Sequence, residues 1–298
     1  MQGAHKRSQL LNFAEESYLE RTSRPVYALV FLVPFIVVYE LGTIFINTTI
    51  LKQYWRGPVV AFVWVQQLLE WIGFAGKSAW IATPLVVVVI LIALQVTSGS
   101  RWRFRWGDYV PMLVECVALA VPLIVLGLLF NSRITPRGGS EIAAPPPARA
   151  VMVQATEQPA QETPGGKDDG SRPTLLLADI VTGIGAGIYE ELAFRLVLII
   201  VLMLLYQDLL RLGRNSAIVL SVLVSAGLFS AYHHVDFLSG RLYLTVPFNW
   251  AEFVFRTLAG VYFAVLFAVR GFGITAGTHA LYDIMAAVIN VVFFGRGN

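Results

Sequence analysis

The chain has 298 residues, of which 56% are hydrophobic and only 14% charged, and its formal net charge is +3. Soluble domains carry about 25% charged residues, so this composition excludes an ordinary soluble globular domain and reads as an all-α polytopic membrane helix bundle. The small charge, spread over short Lys/Arg groups, argues against a nucleic-acid partner. The single cysteine, Cys116, lies in an apolar segment; it excludes a disulfide framework and a Cys-based zinc site and reads as inert packing.

Residues 1–24 are polar and charged and show no signal-peptide pattern, so the first apolar run is expected to insert and be kept as an anchor. A membrane helix needs about 20 apolar residues to cross a core of roughly 30 Å. In chain order the runs that satisfy this are Val26–Ile46, Ala79–Val96, Tyr109–Phe130, Ser216–Val235, Trp250–Val269 and Phe272–Phe294. Residues 59–74 are apolar but carry Gln66, Gln67 and Glu70, the mark of an interfacial or re-entrant helix. The run 174–207 is longer, about 50 Å if straight, and must tilt, protrude or break. Between residues 131 and 172 the composition turns to "APPPARA" and "QETPGGKDDGSRP". Such a segment buries too little apolar surface to order itself. The expected organisation is N-terminal membrane helices over 1–130, a disordered linker over 131–172 and a functional membrane domain over 173–298.

Positive residues suggest an orientation. Lys6, Arg7, Arg21 and Arg24 precede the first span, and Arg101, Arg103 and Arg105 follow the second. Arg211 and Arg214 follow the long run, and Arg270 separates the last two spans. All fall on the cytoplasmic side if 59–74 does not cross and 174–207 crosses once. That gives seven crossings, a cytoplasmic N-terminus and an external linker, with Arg241 and Arg296 as exceptions. The expected location is a bacterial inner membrane.

Ionisable groups inside spans cost roughly 2.5–3.5 kcal/mol each on insertion scales and usually face a polar cavity or one another. The C-terminal half holds Glu190, Glu191, Arg195, His233, His234, His279 and Asp283. Residues four apart share a helix face, so Glu191 pairs with Arg195. Glu190 points about 100° away and has no partner on its own helix. Gly183 and Gly187 lie beneath it and would let a neighbouring helix approach. A free carboxylate so placed suits a base that must also act as an acid. His279 and Asp283 are again four apart, as an orienting pair or half a metal site. His233 sits where its span leaves the membrane; His234 points elsewhere and reads as interfacial. Glu252 and Arg256 make another i,i+4 pair, read as structural, and Glu40 and Glu115 are buried carboxylates without an assigned role.

Three of these stretches resemble a known family. "EELAFR" (Glu190 to Arg195) is similar to the glutamate-glutamate-three-residues-arginine motif of the CAAX protease and bacteriocin-processing family of intramembrane endopeptidases. "FSAYH" (Phe229 to His233) looks like its second motif and "HALYD" (His279 to Asp283) like its third. The resemblance covers about residues 174–294, and the N-terminal half carries no transferable motif. It implies hydrolysis of a peptide bond in a membrane-associated peptide or protein, within the lipid bilayer. Glu190 and His233 would activate a water, His279 and Asp283 would stabilise the oxyanion or hold the water, and Glu191 and Arg195 would support the geometry. Asp283 replaces the family's commoner asparagine. An ionised aspartate accepts but cannot donate to an oxyanion, so it would orient His279 or be protonated. The expected mechanism uses no cofactor. Zinc held by Glu190, His233, His279 and Asp283 is the alternative, although the HExxH helix of zinc proteases is missing.

Measured along straight helices, His233 lies about 25 Å and His279 about 10 Å from the cytoplasmic ends of their spans, a mismatch of roughly 15 Å in depth. Tilt or a broken helix must close it. Two other classes fit the same groups. A proton-coupled transporter also uses intramembrane Glu, His and Asp, although no repeat relates the two halves. A non-catalytic membrane scaffold or immunity protein would keep the pocket without the chemistry.

Overall fold

The computed structural model describes residues 14, 16–48, 59–74, 76–134, 172–233, 235–236, 241–242 and 249–294. The expected linker falls almost wholly outside the described residues, as does His234. A short α1 (Tyr18–Thr22), N-capped by the Ser17 side chain, leads into α2 (Pro25–Thr48). Then come α3 (Val60–Trp71), α4 (Lys77–Ser98) and α5 (Tyr109–Ile134), the last entered through a 3-10 turn at Trp106–Asp108. Pro34, Pro84 and Pro122 sit inside helices, as is tolerated where neighbouring helices satisfy the freed carbonyls.

The long run 174–207 is one continuous rod that changes pitch. It runs as α6 (Arg172–Glu191), a π-helical stretch Leu192–Leu198, α7 (Ile199–Leu204) and a second π stretch Leu205–Leu209. Next, α8 (Arg214–Tyr232) ends three residues short of the expected Val235. Val235 pairs instead with Leu242 in a two-residue antiparallel ladder, β1 (Val235–Asp236) and β2 (Arg241–Leu242). The last two expected spans form a single element, α9 (Trp250–Phe294), folded back at Gly271 (φ 76°, ψ 179°). That backbone is open to glycine and costly for other residues. A Cβ there would also meet the Ser23 carbonyl oxygen at 3.1 Å.

Among the described residues, five helices are long and apolar enough to cross a membrane, the last long enough for two passes. The chain is an integral, multi-pass, all-α membrane protein. The twelve-residue α3 is too short to span. It buries Ala61, Phe62 and Leu69 and exposes Leu68 and Trp71. One core joins both halves of the chain. Tyr27, Phe31 and Tyr39 of α2 and Met112 and Cys116 of α5 pack with Tyr189 of α6 and Phe263 and Ile274 of α9.

At the end of the bundle that holds α1, charged side chains lock the fold of α9. The buried Arg270, beside Gly271, donates to both oxygens of Glu115 (2.5 and 2.8 Å), to Thr22 Oγ1 and to the Leu19 carbonyl (2.8 Å each). Tyr18 donates to Glu115 at 2.7 Å. Alongside, Arg21 grips Asp108 at two points (3.1 Å each) and Arg24 grips Glu20 at 2.6 Å. Arg24 and Arg101 both reach Glu16 at 3.1 Å, and the Arg24 hydrogen bond holds the Glu16 carboxyl below its ordinary range. Glu115, which had no assigned role, is therefore the counter-ion of the α9 fold. Breaking a buried pair by removing one partner costs about 3 kcal/mol or more. Arg270→Met is expected to lower the thermal midpoint of the detergent-solubilised protein by several degrees. The exposed Arg103→Gln should stay within about 0.5 kcal/mol of wild type.

Candidate active site

Glu190 and Glu191 end α6, and the rod widens to π geometry immediately after them. Such stretches shift side chains by a fraction of a turn and recur at functional sites. Ser225 of α8 donates its hydroxyl to the Phe194 carbonyl within this stretch (2.7 Å). Glu191 and Arg195 are fully buried, and Arg195 Nε lies 3.1 Å from Glu191 Oε2. The guanidinium also sits over the Phe229 ring at 4.3 Å, faces Phe263 at 5.7 Å and reaches the Gly260 carbonyl at 3.4 Å. One carboxylate, two aromatic faces and a carbonyl thus replace the water that this cation has lost.

The second oxygen of Glu191 accepts a hydrogen bond from His279 Nδ1 at 2.7 Å. His279 is therefore oriented across the helix interface and not mainly by Asp283, its expected partner four residues on. Its Nε2 lies 3.6 Å from Asp283 Oδ2, too far for a hydrogen bond. The reason is how closely α6 and α9 approach. Gly187 packs directly on the backbone of Ala280, and a Cβ at Gly183 would sit 2.6 Å from Asp283 Cβ. With Nδ1 bonded to Glu191, the imidazole turns Nε2 towards the interior. Phe263 stacks on the ring at 4.5 Å and 16°, fixing its plane.

Glu190 is 4% exposed. Tyr232 donates to its Oε1 at 2.7 Å, and its Oε2 lies 3.9 Å from His279 Nε2. Tyr232 was not singled out in the sequence, where its only signal is its position next to His233. Its ring is enclosed by Trp64 of α3 (5.2 Å) and Phe194 (5.2 Å), so the short helix of the N-terminal half walls this side.

His233 caps α8, and its Nδ1 is 2.9 Å from the Phe229 carbonyl one turn back. Side chains lean towards the helix N-terminus, which carries this imidazole deeper than its backbone. Both imidazoles then contact the same phenyl ring, His233 at 5.2 Å and His279 at 6.2 Å from the Phe229 centroid. Phe229 bridges the mismatch in depth measured along straight helices.

A cavity of about 140 Å³ is lined by Glu190, His233, His279 and Asp283, with Glu191 and Arg195 behind its wall. Asp283 Oδ2 is buried without a hydrogen-bond partner. Among the described residues, no group of three or more His, Cys, Asp or Glu side chains is placed to hold a metal. The 3.9 and 3.6 Å separations from His279 Nε2 exceed the roughly 3.3 Å between neighbouring ligands implied by zinc bonds of about 2.0–2.1 Å.

Fold and site together define a polytopic membrane protein that encloses acid–base side chains in a cavity within its bundle. Residues 172–285 match the family model described as type II CAAX prenyl endopeptidase Rce1-like. The matched segment runs from the start of α6 to just past Asp283 and holds all three of the motifs that carry the resemblance. No curated protein and no solved structure matches the chain.

The two adjacent glutamates should differ sharply in what their loss does to the fold. Glu191→Gln leaves Arg195 as an uncompensated buried cation, at a cost of about 3 kcal/mol or more. Glu190→Gln keeps an acceptor for Tyr232 and should cost about 1 kcal/mol or less. Thermal unfolding of the two purified variants in one detergent checks the order.

Proposed function

We propose that the chain is an intramembrane endopeptidase that hydrolyses a peptide bond of a membrane-associated substrate with a water activated by Glu190. The observation that carries this reading is the pair Glu190 Oε2 and His279 Nε2, 3.9 Å apart on the cavity wall. That separation is too long for a direct bond and within the reach of a single bridging water. Glu190 takes a proton from this water as its oxygen adds to the scissile carbonyl. The C–N bond breaks when the leaving nitrogen receives that proton, relayed by Glu190 or by His279 Nε2. Glu191 keeps His279 in the orientation that allows the relay, as a carboxylate behind an imidazole does in other hydrolases. His233, on the same cavity with its Nδ1–H on the Phe229 carbonyl, donates from Nε2, as the imidazolium, to the carbonyl oxygen where charge develops. Tyr232 holds the Glu190 carboxylate in one rotamer, and Asp283 offers a second acceptor beside His279. No step runs through a metal. On this reading the membrane is a bacterial inner membrane, and the α1 end, where basic residues gather, faces the cytoplasm.

General acid–base groups contribute about 10²- to 10⁴-fold. Glu190→Gln is therefore expected to cut turnover of a fluorogenic membrane-peptide library by at least about a hundredfold while the protein stays folded. Treatment with 1,10-phenanthroline should leave wild-type cleavage unchanged. Full cleavage by the Gln variant would remove Glu190 from the chemistry. Loss on chelation that zinc restores would replace the water-activating carboxylate with a metal.

A further inference from the structure

Residues 101–106 read Arg-Trp-Arg-Phe-Arg-Trp, an alternation of cation and aromatic ring. The stretch joins the end of α4 at Ser98 to the 3-10 turn that opens α5, and it is not helical before Trp106. Both helices are long and apolar enough to span, so the join lies where bilayer meets water, at the end of the bundle that holds α1. Arg105 is extended (φ −107°, ψ 114°), and along an extended chain successive side chains point to opposite sides. The aromatic side is pinned at its centre. Phe104 packs on the fully buried Tyr27 at 4.8 Å, and the backbone N–H of Arg105 donates to the Tyr27 hydroxyl at 3.2 Å. Trp102 and Trp106, on either side of Phe104, stay 59% and 77% exposed. Indoles left outside the core at this depth sit at headgroup level, with the ring in the apolar boundary and the N–H towards water.

The fold does not use every cation of this stretch. Arg21 takes Asp108 at two points, and the Tyr27 hydroxyl donates to the same carboxylate. Arg24 holds Glu20, Arg270 holds Glu115, and Arg24 and Arg101 share Glu16. Arg103 and Arg105 are exposed and form no ion pair among the described residues. Arg105 adds only a longer-range field at Glu16 and Asp108. Two residues apart on an extended chain, the two cations leave the backbone about 7 Å from each other, on the side away from Phe104. A guanidinium fork matches phosphate oxygens at two points. Free forks flanked by interfacial indoles suit a ligand that is anionic at one end and apolar at the other.

We propose that Arg103 and Arg105, with Trp102 and Trp106, form a binding site for an anionic phospholipid of the leaflet at the α1 end. The forks take the headgroup phosphate, and the indoles lie against the upper part of the acyl chains. The site is separate from the cavity and does not depend on the endopeptidase reading. Its backbone is tied through Tyr27 and Asp108 to Arg21 of α1, so a lipid held there binds the folded arrangement and stabilises it.

Native mass spectrometry of the full-length protein, released from neutral-detergent micelles, counts the lipids retained. Phosphatidylglycerol and phosphatidylcholine with matched chains are offered together. The expected result is one phosphatidylglycerol held in preference to phosphatidylcholine, with the preference falling as salt rises. Arg103→Gln with Arg105→Gln weakens its binding about thirtyfold, and either change alone about fivefold. Arg103→Lys with Arg105→Lys keeps part of the affinity. Arg211→Gln with Arg214→Gln, which removes exposed cations elsewhere, leaves it unchanged. Thermal unfolding in the same detergent gives a second readout. Without lipid the Arg103/Arg105 double Gln variant melts with wild type, and only wild type gains in midpoint when phosphatidylglycerol is added. Equal retention of the two lipids, full retention by the double Gln variant, or an equal loss in the Arg211/Arg214 variant overturns the site. Displacement of the lipid by equimolar glycerol 3-phosphate would make it a soluble-anion site, and displacement by an acidic peptide a protein-docking surface; either result overturns the proposal.

Discussion

The arrangement depends on one buried carboxylate serving two partners. Glu191 gives one oxygen to Arg195 and the other to His279. The cation makes the carboxylate tolerable inside the bundle, and the carboxylate orients the imidazole. Residues from α6, the π stretch and α9 are thereby tied into one object. The adjacent Glu190 is left free to face the cavity, its charge steadied by a phenol from α8. Sequence order puts the ion-paired and the cavity-facing carboxylate side by side, and the 100° step of the helix turns them to different surroundings.

Packing around this object explains why it is stable at such depth. Gly187 lets the backbone of α6 rest on Ala280, bringing Glu191 within reach of His279. Phe229 and Phe263 flank Arg195, and each also touches an imidazole. The N-terminal half contributes more than anchorage. Trp64 of α3 closes the aromatic wall around Tyr232, and Leu128 of α5 lines the cavity. At the far end, Glu115 of α5 holds Arg270, fixing the bend from which His279 follows two turns later. Site and anchor are one mechanical unit, although they come from segments separated by a long stretch of polar chain.

Much of this was legible in the sequence, and the exceptions are instructive. Apolar runs located the helices to within a few residues, because lipid demands a nearly unbroken apolar stretch. The Glu191–Arg195 pair followed from i,i+4 geometry alone. The same rule paired His279 with Asp283 and missed Glu191, since a local spacing says nothing about a helix arriving from elsewhere. Tyr232 and Phe263 looked like ordinary aromatic residues of an oily helix, and only tertiary contact gives them a part. The antiparallel return at Gly271 follows from Arg270-Gly271 standing between two apolar runs. Its lock to Glu115 spans 155 residues and leaves no local trace. Straight rulers overstated the depth mismatch of the two histidines because side chains lean along their helices and Phe229 reaches both.

The central claim is that Glu191 and Arg195 are energetically one unit, and a double-mutant cycle for unfolding in detergent measures it directly. Glu191→Leu and Arg195→Met should each be strongly destabilising, while the double variant recovers much of the loss, giving a coupling well above 1 kcal/mol. Strictly additive effects would contradict the account, because they would mean that the carboxylate and the guanidinium do not depend on each other.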